Sequence, residues 1–199
     1  MHQRGPVMRV TAVVLDGGGA SRYRGQKLLA SLEGRPLVQH VIDAANASAV
    51  DDVILVLGHG ADALLAAVRL GRARPVVNPD WASGQASSLG AGIRAASGAD
   101  AIVVLLGDQP RVTAALLDAL VERQRATGSV AVVSSWKGQR SPPTLLHREL
   151  WSALEALTGD VGARDVLARR ADVAVLEVSG SLGSLEDVDR PDDLLRLGG

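Results

Sequence analysis

The sequence predicts a doubly wound α/β fold, a mostly parallel sheet sandwiched by helices. Three observations lead there. Short Val/Ile/Leu runs recur along the chain and alternate with longer Ala/Leu-rich amphipathic stretches. The runs lack polar alternation, as strands of a parallel sheet do when both faces are covered. At 199 residues the chain is long enough for one domain with a sizeable core.

Strands are expected at 9–15 (RVTAVVL), 52–58, 74–78, 100–107, 129–135 and 172–178. Each is short and rich in β-branched residues. Helices are expected at 36–47, 61–71, 87–96 and 113–126. The first opens on Pro36 and the last on Thr113, residues suited to helix N-termini. Ligands in doubly wound sheets bind beyond the carboxyl ends of the strands. That rule puts the loops after Leu15, Leu57, Asn78 and Leu106 on one functional rim.

Composition removes several classes. A net charge of −1, no Phe, one Tyr and three Trp argue against nucleic acid and anionic membranes as partners. The chain has no cysteine, which excludes disulfides, thiolate metal sites and a cysteine nucleophile. The opening MHQRGPVMRV has no apolar signal core, and no apolar run reaches membrane-spanning length. A cytoplasmic protein is expected.

The first strand runs into VVLDGGGASRYRGQK (13–27), bare backbone followed by cations. A dinucleotide fingerprint needs a third glycine where Arg22 stands, and a P-loop needs Gly-Lys-Ser/Thr where Gln26 separates Gly25 from Lys27. Both fail. The stretch is either a phosphate cradle, with backbone N–H groups toward anionic oxygens and Arg22 and Lys27 neutralising a triphosphate, or a glycine-rich turn with solvated basic residues.

Leu15, Gly17, Gly18, Ala20, Arg22 and Lys27 fit the signature of the MobA-like nucleotidyltransferases, while Asp16, Tyr23 and Arg24 depart from it. NPDWASGQASSLGAGIRAA (78–96), VVLLGDQPRVT (103–113), LTGDVGARDVL (157–167) and LEDVDRPDDLLRL (185–197) follow in the order of the branch that makes molybdenum cofactor cytosine dinucleotide. The chain therefore resembles that family from about Val10 to Leu197. The resemblance implies a Rossmann-like, GT-A-type nucleotidyltransferase forming a single domain over 1–199. About 10–110 would be its nucleotide- and metal-binding half, and about 111–197 its acceptor-binding half.

It also implies roles. Asp108, just past a buried strand, becomes the principal ligand of Mg²⁺ or Mn²⁺, ions that take few carboxylates plus phosphate oxygens. The alternative is a cap for the helix from about Val112, a role for which Thr113 competes. Asp189 is the expected second ligand and Asp187 its reserve. Asp192 and Asp193 suit the first turn of a last helix. Leu15, Gly17, Gly18, Gly19, Ser88 and Gln109 fall at nucleotide-binding positions, with a helix-start role as the alternative for Ser88 and a cap role for Ser87. Trp81 is expected to pack at the rim rather than stack on a base. His59 is expected near the nucleotide without a catalytic role, and His147 to be structural or at a helix start. Relatives have Gly-His-Pro where this chain has Ser141, Pro142 and Pro143, and Lys where it has Val161. Arg140 and Arg164 are anion contacts or surface ion pairs. Asp16 could accept from a base amino group, support the metal, or repel nucleotide.

The implied reaction transfers CMP from CTP to molybdenum-molybdopterin with release of pyrophosphate, with Lys27, Arg22 and Asp108 catalytic. The partners implied are a nucleoside triphosphate, a phosphorylated small-molecule acceptor, and a molybdoenzyme or its maturation chaperone. The alternatives are transfer to a sugar or polyol phosphate, and a nucleotide-binding accessory protein without transfer activity.

Overall fold

A computed structural model describes residues 8–15 and 27–198. Strand β1 (Val10–Leu15) precedes a 3-10 turn at Lys27–Leu29 and a two-strand ribbon, β2 (Ser31–Leu32) and β3 (Arg35–Pro36). Then come α1 (Leu37–Ala47), β4 (Asp52–Leu57), α2 (Ala61–Ala67), β5 (Ala73–Val77), α3 (Gln85–Ala95) and β6 (Ala101–Leu106). The second half holds α4 (Ala114–Thr127), β7 (Ala131–Trp136), β8 (Gln139–His147), α5 (Trp151–Glu155), α6 (Ala163–Leu167), β9 (Val173–Glu177) and α7 (Pro191–Gly198).

Among the described residues the main sheet has seven strands in the order β5-β4-β1-β6-β8-β7-β9. All run parallel except β8, which lies antiparallel between β6 and β7. The order reverses between β1 and β6, where Leu15 stands beside Leu106 in register. A reversal of this kind leaves a crevice at the strands' carboxyl ends, because the connections leave toward opposite faces.

The residues of β1 alternate between two cores. Val10, Ala12 and Val14 pack with α1, α2 and α4; Val13 and Leu15 pack with α3, α5 and α6. All six strand residues are buried, which is why the sequence lacks polar alternation there. Helix α3 lies close to the sheet: a Cβ on Gly92 would stand 2.4 Å from Val13 Cγ1. A third, small core of Leu32, Leu37 and Val188 is flanked by Leu194 and Leu197 and seats α7 against the β2–β3 ribbon.

The fold class agrees with the sequence reading, and the differences are local. The expected helix 61–71 stops at Ala67, because Val68 turns extended and Arg69 donates its N–H to Gln39 Oε1. The expected helix 87–96 begins two residues early, at Gln85. The sequence reading missed β8, since its prolines argue against a central strand. They are tolerated because the β7–β8 register shifts there. Val133 pairs Thr144 and Ser134 pairs Ser141, so Pro142 and Pro143 fall in the bulge outside the ladder. Among the described residues no helix is long and apolar enough to cross a membrane.

Candidate active site

The crevice at the β1–β6 reversal is where charge collects. Lys27 begins the 3-10 turn after the first loop, and its ammonium donates to Asp108 Oδ2 at 2.7 Å and to Asp189 Oδ1 at 3.1 Å. The Lys27 and Asp108 side chains are each 9% exposed, whereas that of Asp189 is 69% exposed. The first contact is therefore a buried ion pair and the second a partly solvated one. Burial pulls the Lys27 pKa down, but the hydrogen bonds and charges of Asp108 and Asp189 outweigh it and hold the amine above its usual value.

Among the described residues, Asp108 Oδ1 is buried without a hydrogen-bond partner. A bare carboxylate oxygen with a second carboxylate nearby suits a hard divalent cation that takes one or two carboxylates plus phosphate oxygens and water. Asp187 lies beside the pair. Desolvation first, then the Asp108 and Asp189 charges, push its carboxyl above the ordinary range against the pull of Gln109 and Lys27. Among the described residues, no three or more His, Cys, Asp or Glu side chains form a metal cage by themselves. The residues thus fit an ion completed by ligand oxygens and water. They do not form a closed structural site.

Backbone contacts bring this late loop to the early half of the chain. Val188 N donates to Asp108 O at 3.0 Å, and Val112 bridges Gly183. Asp193, in the first turn of α7, accepts from Asp189 N and Arg190 N at 2.9 and 2.8 Å. It thereby ties the loop that carries Asp189 to the start of the helix. The expected structural role of Asp193 is visible in these bonds. Thr113 caps α4 through Leu116 N at 3.2 Å, so Asp108 is released from the capping alternative.

Gln109 is wholly buried, and its Nε2 donates to Ser141 Oγ at 3.0 Å and Leu185 O at 3.3 Å. It links β6, β8 and the Asp187–Asp189 loop. Beside it opens a cavity of about 480 Å³. Leu89, Val104, Val133 and Leu146 form much of an apolar floor, and Leu15 and Leu106 reach it from the reversal. Arg140 and Arg164 line it, and both are exposed. Neither is joined to a carboxylate among the described residues, in contrast with the surface pairs of Arg74 and Arg170.

On the β5 side, buried Asn78 donates from Nδ2 to Ser87 Oγ at 2.8 Å and Ser88 Oγ at 3.1 Å. The cap expected of Ser87 is not made. Its hydroxyl donates back to Gly84 O, and the α3 N-terminus is served by Gly159 O and Asp160 Oδ1, which accept from Ala86 N and Gln85 N. The close crossing requires a glycine at position 84, where φ is +109° and a Cβ would lie 2.4 Å from the Gly159 carbonyl carbon. Trp81 is 45% exposed, with its ring centroid 5.1 Å from that of His59. The two form a rim pair. His147 ends β8 and precedes a 3-10 turn at Arg148–Leu150.

Gly17, Gly18, Gly19 and Arg22, with Asp16, Tyr23 and Arg24, lie outside the described residues. Of the other expected site residues, the fold brings Lys27, Asp108, Asp187, Asp189 and Gln109 together around the reversal, with Leu15 at the cavity. Ser88 stands on α3 and is held from Asn78. Sequence reasoning assigned no role to Asn78, although an Asn directly after an apolar run, before a Ser-Ser pair, is a readable signal.

The MobA-like NTP transferase domain profile matches residues 12–174 of the chain. The chain belongs to that family. Among proteins similar to this chain, nicotine blue oxidoreductase of Paenarthrobacter nicotinovorans is 33% identical over 94% of this chain and 96% of its own. The purine catabolism protein PucB of Bacillus subtilis is 35% identical over 88% of this chain and 89% of its own. Of solved structures, Rv0371c of Mycobacterium tuberculosis in complex with manganese is 28% identical, with a TM-score of 0.78 over 96% of this chain and 98% of that one. A molybdopterin-guanine dinucleotide biosynthesis protein A from Archaeoglobus fulgidus, 20% identical over 94% of this chain and 96% of its own with a TM-score of 0.72, shares the fold. The chain is a nucleotidyltransferase-family member by sequence and by fold.

Proposed function

We propose that this MobA-like NTP transferase moves CMP from CTP to molybdenum-molybdopterin, releasing pyrophosphate. The observation that carries a transfer reaction is the Lys27–Asp108–Asp189 cluster at the strand-order reversal, next to a cavity lined by arginines that hold no carboxylate among the described residues. Asp108 and Asp189, with Asp187 beside them, would hold Mg²⁺ or Mn²⁺, which supplies charge neutralisation at phosphate oxygens when bound. Manganese in the Rv0371c structure supports this reading.

Lys27 and Arg22 neutralise the leaving pyrophosphate. Gly17, Gly18 and Gly19 offer backbone N–H groups, and Leu15 and Ser88 border the nucleotide. Gln109 holds the floor between the nucleotide and acceptor sides. The acceptor enters the cavity lined by Arg140 and Arg164, where the guanidinium groups meet its negative charge and the apolar floor takes a flat body. Its terminal phosphate oxygen forms a bond to the α-phosphorus while the bond to the β-phosphate bridge breaks. A phosphate nucleophile is already ionised at neutral pH, so catalysis rests on positioning and electrostatics. That is why His59 need not act as a base.

The apolar floor also bears on the alternative acceptors. A sugar or polyol phosphate would find no hydrogen-bond partner on Leu89, Val104, Val133 and Leu146, but could find one on Gln85, Ser141, Thr144, Asp160 or Asp165 of the same cavity, so the acceptor assay decides between them. One relative carries the name of an oxidoreductase, but the first loop here lacks the third glycine of a dinucleotide fingerprint.

A thermal-shift panel of nucleoside triphosphates with Mg²⁺ tests the donor, because a ligand of the folded state raises its apparent stability. Pyrophosphate release is then measured with molybdenum-molybdopterin and with sugar and polyol phosphates. CTP-dependent release with the pterin supports the reading. Release only with a sugar or polyol phosphate replaces the acceptor, and nucleotide binding without release with any acceptor points to an accessory protein.

A further inference from the structure

Resting on the metal assignment just given, we infer that Lys27 is a built-in competitor of the divalent cation, so that metal and triphosphate bind cooperatively. The ammonium already holds Asp108 Oδ2 at 2.7 Å and Asp189 Oδ1 at 3.1 Å, one oxygen from each of the two carboxylates best placed for a metal. Asp108 Oδ1 is left buried and, among the described residues, without a partner. A divalent ion held by both carboxylates would therefore compete with the Lys27 ammonium for their oxygens.

The two carboxylates come from distant parts of the chain, and among the described residues Lys27 is the cation between them. Asp108 is fixed after β6, while Asp189 sits on a loop held by Asp193 and is 69% exposed. Its contact with Lys27 is thus readily exchanged, in contrast to the buried contact with Asp108. A triphosphate offers the ammonium competing anionic oxygens. When Lys27 turns to them, Asp108 Oδ2 and Asp189 Oδ1 are freed for the metal. Metal alone meets two carboxylates that already share one ammonium, whereas metal with triphosphate meets two open carboxylates. Linkage requires the converse, with metal raising triphosphate affinity by the same factor.

The chain has two lysines, Lys27 and Lys137. Lys137 lies over the Trp136 ring, 4.0 Å from its centroid, and serves as an internal reference.

The test measures Mn²⁺ affinity by titration calorimetry without nucleotide, on wild type, Lys27→Met, Lys27→Gln and Asp108→Asn. Both Lys27 variants should bind Mn²⁺ about tenfold more tightly than wild type, within the usual span of coupling between sites. Asp108→Asn should lose the binding. In parallel, ¹³C-lysine NMR of the wild type follows the Cε signals: CTP with Mg²⁺ should shift that of Lys27 and leave that of Lys137 in place. The NMR arm needs no variant to fold. Equal or weaker Mn²⁺ binding by folded Lys27→Met and Lys27→Gln, while Asp108→Asn still abolishes binding, overturns competition and spares the metal assignment. A Lys27 signal unmoved by CTP and Mg²⁺ that demonstrably bind overturns it also. Mn²⁺ binding indifferent to Asp108→Asn overturns the metal assignment and this inference together.

Discussion

Gln109 donates from Nε2 to Ser141 Oγ across 3.0 Å, joining the end of the parallel half-sheet to the one antiparallel strand in it. Because the same nitrogen reaches Leu185 O, one side chain sets the spacing between the metal loop and the cavity. Replacing it with leucine leaves Leu185 O without its donor, and a buried polar group stripped of its partner costs about 1–3 kcal/mol. Gln109→Leu is expected to lower the unfolding free energy by about that amount and to raise the acceptor KM more than the nucleotide KM, measured by denaturant titration and steady-state kinetics.

Asp108→Asn keeps the shape of the side chain and removes its charge. Pyrophosphate release should vanish in a protein that still folds. Stability should fall too, since losing one partner of a buried ion pair costs up to about 3–5 kcal/mol. Substantial turnover in the folded variant, measured alongside circular dichroism, would refute the role given to Asp108.

Arg140→Ala and Arg164→Ala remove cations that hold no carboxylate among the described residues. Each change should therefore leave the unfolding free energy within about 0.5 kcal/mol of wild type, as ordinary surface substitutions do. Acceptor KM should rise with nucleotide affinity unchanged. A stability loss without a kinetic effect would assign these arginines to the scaffold.

Gly92 tests the packing that shapes the site. An alanine Cβ there would stand 2.4 Å from Val13 Cγ1, and Val13 is wholly buried with nowhere to retreat. Alanine favours a helix over glycine by about 1 kcal/mol, yet overpacking a dense core costs about 1–3 kcal/mol. Gly92→Ala is expected to destabilise on balance, read from the denaturant midpoint at unchanged slope.

Asp193 gives a pH signature. Desolvation raises its pKa, but the Arg190 and Asp189 backbone donors and the Arg196 side chain together outweigh that and hold it below the usual carboxylate value. A depressed folded-state pKa contributes stability that is present above the unfolded value and is lost as pH falls through the folded one. Between neutral pH and about pH 3, the melting temperature of Asp193→Asn should fall less steeply than that of wild type. Parallel curves for the two proteins would remove Asp193 from the acid response.

Much of the fold was legible because burial on both faces leaves a plain mark. Val10–Leu15, Asp52–Leu57 and Ala101–Leu106 are runs that no amphipathic helix would produce. The helix started by Thr113 was equally readable, from a hydroxyl one residue before an apolar pattern. The start of α3 was not, because its first N–H groups are served by Gly159 and Asp160, more than 70 residues away. Strand β8 was obscured for a related reason. Its prolines read as breaks, and only the register shift against β7 shows where they are accommodated.

The sequence by itself determined the sheet-forming runs, the family motifs, and the acids and cations available at the site. Tertiary structure decided which of them meet. Lys27, Asp108 and Asp189 are separated by 81 and 162 residues from the lysine, and no local periodicity couples such positions. The reversal between β1 and β6 brings two of them to one crevice, and the Leu32–Leu37–Val188 core carries in the third. Local sequence records how a side chain suits its own strand, helix or turn. The pairing of distant charges depends on strand order and on the packing of surfaces that become neighbours only when the chain has folded.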